Sequence, residues 1–350
     1  MKILITGGAG FIGVNAAAHF ADKGWTVTVL DNLSRRGSPE NLEWLQSGRR
    51  VDLIKQDIRD AKAVDRAIRT DRPDVVLHLA GQVAVTTSVE DPRTDFETNA
   101  LGSFNVLEAV RKHSPESFLI NASTNKVYGK MKDIPVADCG DRYEYDGLAG
   151  IDETRPLDFH SPYGCSKGVA DQYCIDYARI YGLNTVTLRQ SCIYGPRQMG
   201  VEDQGWVAWF TIAALLDKPI TIYGDGKQIR DVLHVEDLVR CYEAAIERRG
   251  DVAGQALNIG GGPTNTLSLL QLLDMLRNQL GKPVTPRWDD WRPGDQPVFV
   301  CDLTKVERLL HWKPAIDVTT GVKKLIDWVS SNQTLFETLE GPGLLKANKA

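Results

Sequence analysis

The first 190 residues alternate between short apolar runs and longer stretches whose apolar positions recur every three to four residues. Lys2–Thr6 (KILIT), closed off by glycine, and the β-branched Thr26–Leu30 (TVTVL) predict buried strands, as do Val51–Lys55, Val75–Leu79, Ser117–Asn121 and Asn184–Leu188. Between them Phe11–Lys23, Ala61–Thr70, Asp95–Lys112 and Pro162–Tyr181 have helical spacing, and Gly24 and Gly182 stop the first and last. Strands that are apolar throughout, alternating with helices, predict an α/β fold: a doubly wound parallel sheet covered on both faces. Past about Gly195 the alternation weakens. Val235–Arg248, Leu267–Leu280 and Thr320–Ser331 predict helices among shorter segments, which reads as a smaller C-terminal lobe. The chain therefore divides at 1–190, 191–335 and a tail, 336–350, frayed from Gly341 to Ala350. Lys130–His160 is a polar connection holding Pro135, Gly140, Gly147, Gly150 and Pro156. It is either functional or a mobile surface insertion.

Composition narrows the function. The 350 residues are 42% hydrophobic and 25% charged, ordinary for a globular chain, and the net charge is −5. A protein binding nucleic acid generally would carry a basic surplus; a local basic pocket for one small anion remains open. Met1–Thr6 is cut short by Gly7 and Gly8, and no later run is long enough to span a bilayer. Six cysteines without a CxxC pair and six histidines without HExxH predict a reduced, cytoplasmic chain with no metal site.

Gly7-Gly8-Ala9-Gly10-Phe11-Ile12-Gly13 joins the first strand to the first helix. Glycines let backbone approach a pyrophosphate, and the helix N-terminus supplies N–H groups and a positive dipole end. Asp31 ends the second strand about 20 residues on, where an acid accepts from an adenosine ribose. The first half is therefore read as a Rossmann-like dinucleotide-binding unit. Asp31 would repel a 2′-phosphate, which favours NAD, although Arg35 and Arg36 close behind could serve one. Asp57, after the third strand, could meet the adenine amino group or be a turn residue. His78–Gly81 (HLAG), after the fourth, is small enough for close cofactor approach.

Tyr163 and Lys167 stand four apart at the start of a predicted helix, hence on one face. A tyrosine near its ordinary pKa of about 10 is a poor base at neutrality, and a neighbouring ammonium would lower it. Tyr163 could then take a proton from a sugar hydroxyl as hydride leaves the carbon. A second YxxxK, Tyr223 to Lys227, falls in a glycine-rich turn, where the side chains need not face each other. Ser123-Thr124 follows the fifth strand and could orient the substrate oxygen or cap local backbone.

GGAGFIG, Asp31-Asn32, HLAG, STNKVYG at Ser123–Gly129, Tyr163 with Lys167, Arg230-Asp231 with His234, and Arg292-Pro293-Gly294-Asp295 occur in an order that resembles the extended short-chain dehydrogenase/reductase family. The resemblance implies Thr124, Tyr163 and Lys167 as the catalytic trio. It implies NAD contacts at Gly7, Gly10, Phe11, Ile12, Gly13, Asp31, Asn32, Ser34, Arg35, Asp57, Ile58, Leu79, Ala80, Gln82 and Asn99, besides Tyr163 and Lys167. Substrate contacts are implied at Thr124, Gln204, Arg230, Arg292 and Asp295, the two arginines gripping a diphosphate. From the residues alone, ion pairs of Arg230 with Asp231 and of Arg292 with Asp295 are the alternative. Trp206 and Trp209 line the pocket or belong to the core.

DNLSRRGS, AGQVAVTTS, LDFHSPYGCSKG and DQGWVAWF resemble the members that epimerise CDP-sugars. They imply inversion of carbon 2 of CDP-paratose or a related CDP-hexose through a keto sugar. A 4-epimerase, a 4,6-dehydratase or dehydrogenase, and a non-catalytic nucleotide sensor are the alternatives. Sugar dehydratases of this family carry an acidic pair after the catalytic threonine; here Asn125 and Lys126 stand there, which favours epimerisation. The family's habit of pairing helices implies a homodimer or larger homo-oligomer through Asp95–Lys112 and Pro162–Tyr181.

Overall fold

The computed structural model describes residues 1–292 and 295–338, so most of the expected tail, including Gly341–Ala350, lies outside the described residues, as do Pro293 and Gly294. Five strands, β1 (Lys2–Thr6), β2 (Thr26–Asp31), β3 (Val51–Lys55), β4 (Val75–His78) and β5 (Phe118–Thr124), join Thr185–Gln190 and Gln255–Ile259 in one seven-stranded sheet. Every pairing is parallel. All four residues of β4 and all six of Thr185–Gln190 are buried, as cover on both faces of the sheet requires. Across the sheet the order is Gln255–Ile259, Thr185–Gln190, β5, β4, β1, β2, β3. The chain builds outward from β1 to β3, then crosses to β4 on the other side. The carboxyl ends of β1 and β4 therefore flank the switch point where such sheets leave a crevice.

Helices α1 (Phe11–Asp22), α2 (Ser38–Gly48) and α3 (Ala61–Asp71) connect the first strands. The Asp60 carboxylate caps α3, accepting from Lys62 N and Ala63 N at 3.0 Å. Sequence periodicity missed α2, which buries only Ser38, Asn41, Leu42 and Leu45. The helix expected over Asp95–Lys112 is three pieces: Pro92–Phe96, a π turn over Glu97–Leu101, and Gly102–His113. The widened turn coincides with Asn99. Its Oδ1 accepts from Gln82 N at 2.9 Å, and its Nδ2 donates to Gln82 O, Asp95 Oδ1 and Ser166 Oγ.

Beyond residue 190 the chain serves both layers. Gln255–Ile259 completes the large sheet, and Val235–Glu247 packs on α1, with His19 and Glu243 3.0 Å apart. A second sheet of Cys192–Tyr194, Ile229–His234, Thr266–Ser268 and Val298–Phe299 borders a second core that includes Val207, Phe210, Ile222, Leu272 and Leu325. The helix Trp206–Leu215 in this core gave no periodic signal because it is apolar on nearly every side. Within Lys130–His160, Val136–Asp138 and Tyr143–Tyr145 pair as a hairpin docked on this lobe. Tyr143 N donates to Lys227 O at 2.9 Å and the Tyr145 hydroxyl to Val298 O at 3.0 Å.

Candidate active site

A cavity of about 590 Å³ opens over the carboxyl ends of β1, β2, β4 and β5. A second, of about 350 Å³, shares Thr124, Tyr163, Ser191, Cys192 and Gln204 with it and extends toward the second lobe.

The floor of the first cavity is the glycine turn. Gly7 has φ +67°, and a Cβ there would lie 2.7 Å from Ala80 N; one on Gly13 would lie 2.3 Å from Gly7 O. No side chain caps α1 at Gly10, and its first backbone bond is Val14 N to Gly10 O. The N–H groups of Phe11, Ile12 and Gly13, all on the cavity wall, thus have no intrahelical acceptor, the arrangement that receives a phosphate. Asp31 braces the turn, accepting from Ala9 N at 3.0 Å and Leu33 N at 2.8 Å, and burial raises its pKa despite both bonds. Asp57 is held down to about 2, chiefly by hydrogen bonds from Arg59. Uncapped amides, a carboxylate at the end of β2 and the cavity's size fit a dinucleotide with a free adenosine ribose.

Every expected NAD contact lines this cavity except Asn99. Asn99 lies behind the wall, where its bonds fix the Gly81–Gln82 loop against the Ser161–Tyr181 helix. Sequence reading missed Arg59, Thr98, Gln190, Ser191, Cys192 and Gln198, which also line it. Gln190 ends a strand of the large sheet and Ser191 and Cys192 come directly after it, a position that could have flagged them.

Thr124 closes β5, while Tyr163 and Lys167 ride the first turns of the Ser161–Tyr181 helix; all three are nearly buried. Tyr163 N donates to the buried Ser88 Oγ at 3.1 Å, fixing the helix start. Lys167 Nζ donates to Ala122 O at 2.5 Å, and burial lowers its pKa to about 8. Burial pushes Tyr163 up to about 12, with the Thr124 hydroxyl and the Arg35 charge pulling the other way. The lowering expected from Lys167 is therefore not present in the protein alone: the ammonium is turned to a backbone carbonyl, and desolvation of the phenolate dominates.

The second cavity gathers Gln204, Arg230, Arg292 and Asp295. Arg230 pairs with Asp295 at 2.8 Å, not with Asp231, which is buried under Ser191 Oγ and Gly262 N. Arg292 pairs with Asp203 at 3.0 Å and lies 3.9 Å over the Tyr223 ring. Trp206 lines the cavity; Trp209 packs against the second core. In the second YxxxK, Lys227 bonds Asp138 while Tyr223 faces Glu202, so the two do not act together.

The model of the NAD dependent epimerase/dehydratase family matches residues 3–260. CDP-paratose 2-epimerase of Salmonella typhi is 46% identical over 337 residues, covering 95% of this chain and 100% of the relative. A putative UDP-glucose 4-epimerase of Methanocaldococcus jannaschii is 32% identical, covering 94% and 99%. The UDP-glucose 4-epimerase of Thermus thermophilus, solved in complex with NAD, superposes with a TM-score of 0.78 at 33% identity, covering 94% and 99%.

Proposed function

The chain belongs to the NAD dependent epimerase/dehydratase family, and from that premise we propose that it is an NAD-dependent epimerase inverting carbon 2 of CDP-paratose or a closely related CDP-hexose. The observation that carries the reading is the shared wall. Thr124 and Tyr163 face both the dinucleotide cleft and a cavity whose far end holds Arg230 and Arg292. A sugar nucleotide whose diphosphate meets those guanidiniums places its ring at Tyr163. The 46% identity to a CDP-paratose 2-epimerase over nearly the whole chain supports the choice of sugar and carbon.

In the first half-reaction the Tyr163 oxygen takes the proton of the sugar hydroxyl, the C–H electron pair leaves as hydride, and a ketone forms. Gly7–Gly13, Asp31 and Lys167 would hold NAD, which would supply the acceptor and donor of that hydride and, when oxidised, a positive charge that favours the phenolate. Thr124 Oγ1 holds the sugar oxygen, and Lys167, bonded to Ala122 O, lines the dinucleotide cavity beside them. The keto sugar turns over in the cavity. Hydride then returns to the opposite face, and Tyr163 gives its proton back. Asn125 and Lys126 offer no carboxylate for eliminating water.

Residues 1–190 supply the dinucleotide side and 191–335 most of the substrate side. Exposed Phe96, Leu101, Phe104, Tyr173, Ile180 and Tyr181, on the Pro92–His113 stretch and the Ser161–Tyr181 helix, support a homodimer across that face. No described helix is long and apolar enough to cross a membrane. The six free cysteines support a reducing, cytoplasmic setting. The test is a panel of CDP-, UDP- and GDP-sugars given to purified protein without added NAD. The reading expects a carbon-2 epimer of a CDP-sugar with no net NADH. A carbon-4 epimer, loss of water or accumulating NADH would replace it with another activity of the family.

A further inference from the structure

Lys126 is a cation in the second cavity that forms no ion pair with a carboxylate among the described residues. It lies in the short 3-10 turn Asn125–Tyr128, whose N-cap, Thr124, accepts from Lys126 N through Oγ1 at 3.2 Å. Its side chain shares that cavity with Thr124, Tyr163, Cys192 and Arg230. Nζ donates to Gln296 Oε1 at 3.3 Å, while the Gln296 amide nitrogen is committed to Gly129 O, so that oxygen is held toward the lysine. No carboxylate stands within ion-pair distance among the described residues. The charged groups facing Lys126 are Arg230 and Asp295, which are bonded to each other. Burial lowers the Lys126 pKa to about 8, with Arg230 adding to the effect. An ammonium kept in a pocket with one amide partner, beside a carboxylate already bonded to Arg230, gains from any further negative charge brought to the cavity.

We propose that Lys126 is a further substrate-binding residue, its ammonium gripping the sugar-side phosphate of the nucleotide sugar beside the reacting carbon. The inference rests on the nucleotide-sugar reading above and deepens it. Lys126 is two residues from Thr124, so the phosphate it holds is close to the carbon that Thr124 and Tyr163 address. A phosphate on carbon 1 is adjacent to carbon 2 and lies across the ring from carbon 4. A cation in this place therefore also selects for inversion at carbon 2.

The experiment uses the full-length protein loaded with NAD, the variants Lys126→Met and Lys126→Arg, and calorimetric titration with CDP and CMP. UDP and UMP are run in parallel. CDP carries the phosphate that Lys126 would hold; CMP lacks it. Lys126→Met is expected to weaken CDP binding by at least about tenfold and leave CMP within about twofold, with Lys126→Arg restoring most of the loss. KM for the CDP-sugar should rise by a similar factor while kcat changes little. Equal weakening of CDP and CMP would mean a structural role, and a kcat loss with unchanged CDP affinity would put the amine on a sugar oxygen. Either result overturns the proposal. Should Lys126→Met lower the melting temperature sharply, Lys126→Arg and its CDP-to-CMP ratio decide. If the wild type turns over no CDP-sugar yet the diphosphate preference still depends on Lys126, the functional reading fails and this inference stands.

Discussion

Replacing Gly13 with alanine sets two effects of opposite sign against each other. Gly13 is a helical residue of α1, and a helical Gly→Ala exchange ordinarily gains about 0.5–1 kcal/mol. The new Cβ would lie 2.3 Å from Gly7 O, 2.6 Å from Gly8 Cα and 2.9 Å from Gly8 C. All three are backbone atoms, which cannot swing aside as a side chain would. Reaching a tolerable 3.0 Å moves the turn by 0.7 Å, the difference from 2.3 Å. Overpacking of this kind costs about 1–3 kcal/mol, more than the helix gains. The displaced atoms belong to the phosphate cradle, so NAD affinity should fall about ten- to a hundredfold, the loss of one charge-assisted hydrogen bond. Fluorescence titration with NAD and thermal melts with and without it measure both effects. Gly48→Ala, with nothing within 4 Å of its new Cβ, is the control and should leave NAD affinity unchanged. A Gly13→Ala protein that binds NAD normally and melts higher than wild type would refute the close-approach argument.

Tyr163→Phe should bind NAD like the wild type and lose turnover by at least about a hundredfold; full activity in a steady-state assay would remove Tyr163 from the chemistry. His78 is buried between Thr6 Oγ1 at 2.7 Å and Ser103 Oγ at 2.8 Å, and burial, with the charge of Lys167, pushes its pKa down to about 3. The unfolded chain takes up this proton near pH 6.5 and the folded chain does not. Its contribution is thus intact above that pH and is lost as pH falls toward 3, at about 1.4 kcal/mol per unit. His78→Gln should flatten the pH dependence of urea midpoints between about pH 6 and 4, and an unchanged slope would contradict it. Asp171→Asn strands the buried Arg189, which Asp171 now holds at 2.9 and 3.0 Å, and should cost about 3–5 kcal/mol in denaturant unfolding.

The sheet was legible where burial on both faces leaves a run of apolar residues: β1, buried at its last four positions, has the bounds its sequence predicts, and so does the less buried edge strand β3. The glycine turn was legible because its backbone approaches tolerate no side chain. What stayed hidden depends on contacts distant in sequence. α2 and the Trp206–Leu215 helix have no clean apolar stripe, one too polar and the other too apolar. The π turn answers to Asn99 reaching Gln82, and the seventh strand comes from 65 residues past the sixth, 255 against 190. Thr124, Tyr163 and Lys167 were visible as types and spacings, yet the direction of the Tyr163 shift was not, because burial is not written in a local motif. Lys126 looked only like a missing carboxylate; that it forms no ion pair among the described residues emerges once Arg230 and Asp295 are seen to pair.

The most direct test of the hydride cycle follows the hydrogen on the carbon that inverts. CDP-paratose carrying deuterium at carbon 2 is turned over in ordinary water, and the product is read by NMR and mass spectrometry. Removal and return of the same hydride predicts an inverted product that keeps its deuterium. Deuterium washed out to solvent would mean that the carbon loses a proton instead, and the account built on Tyr163 and NAD would be contradicted.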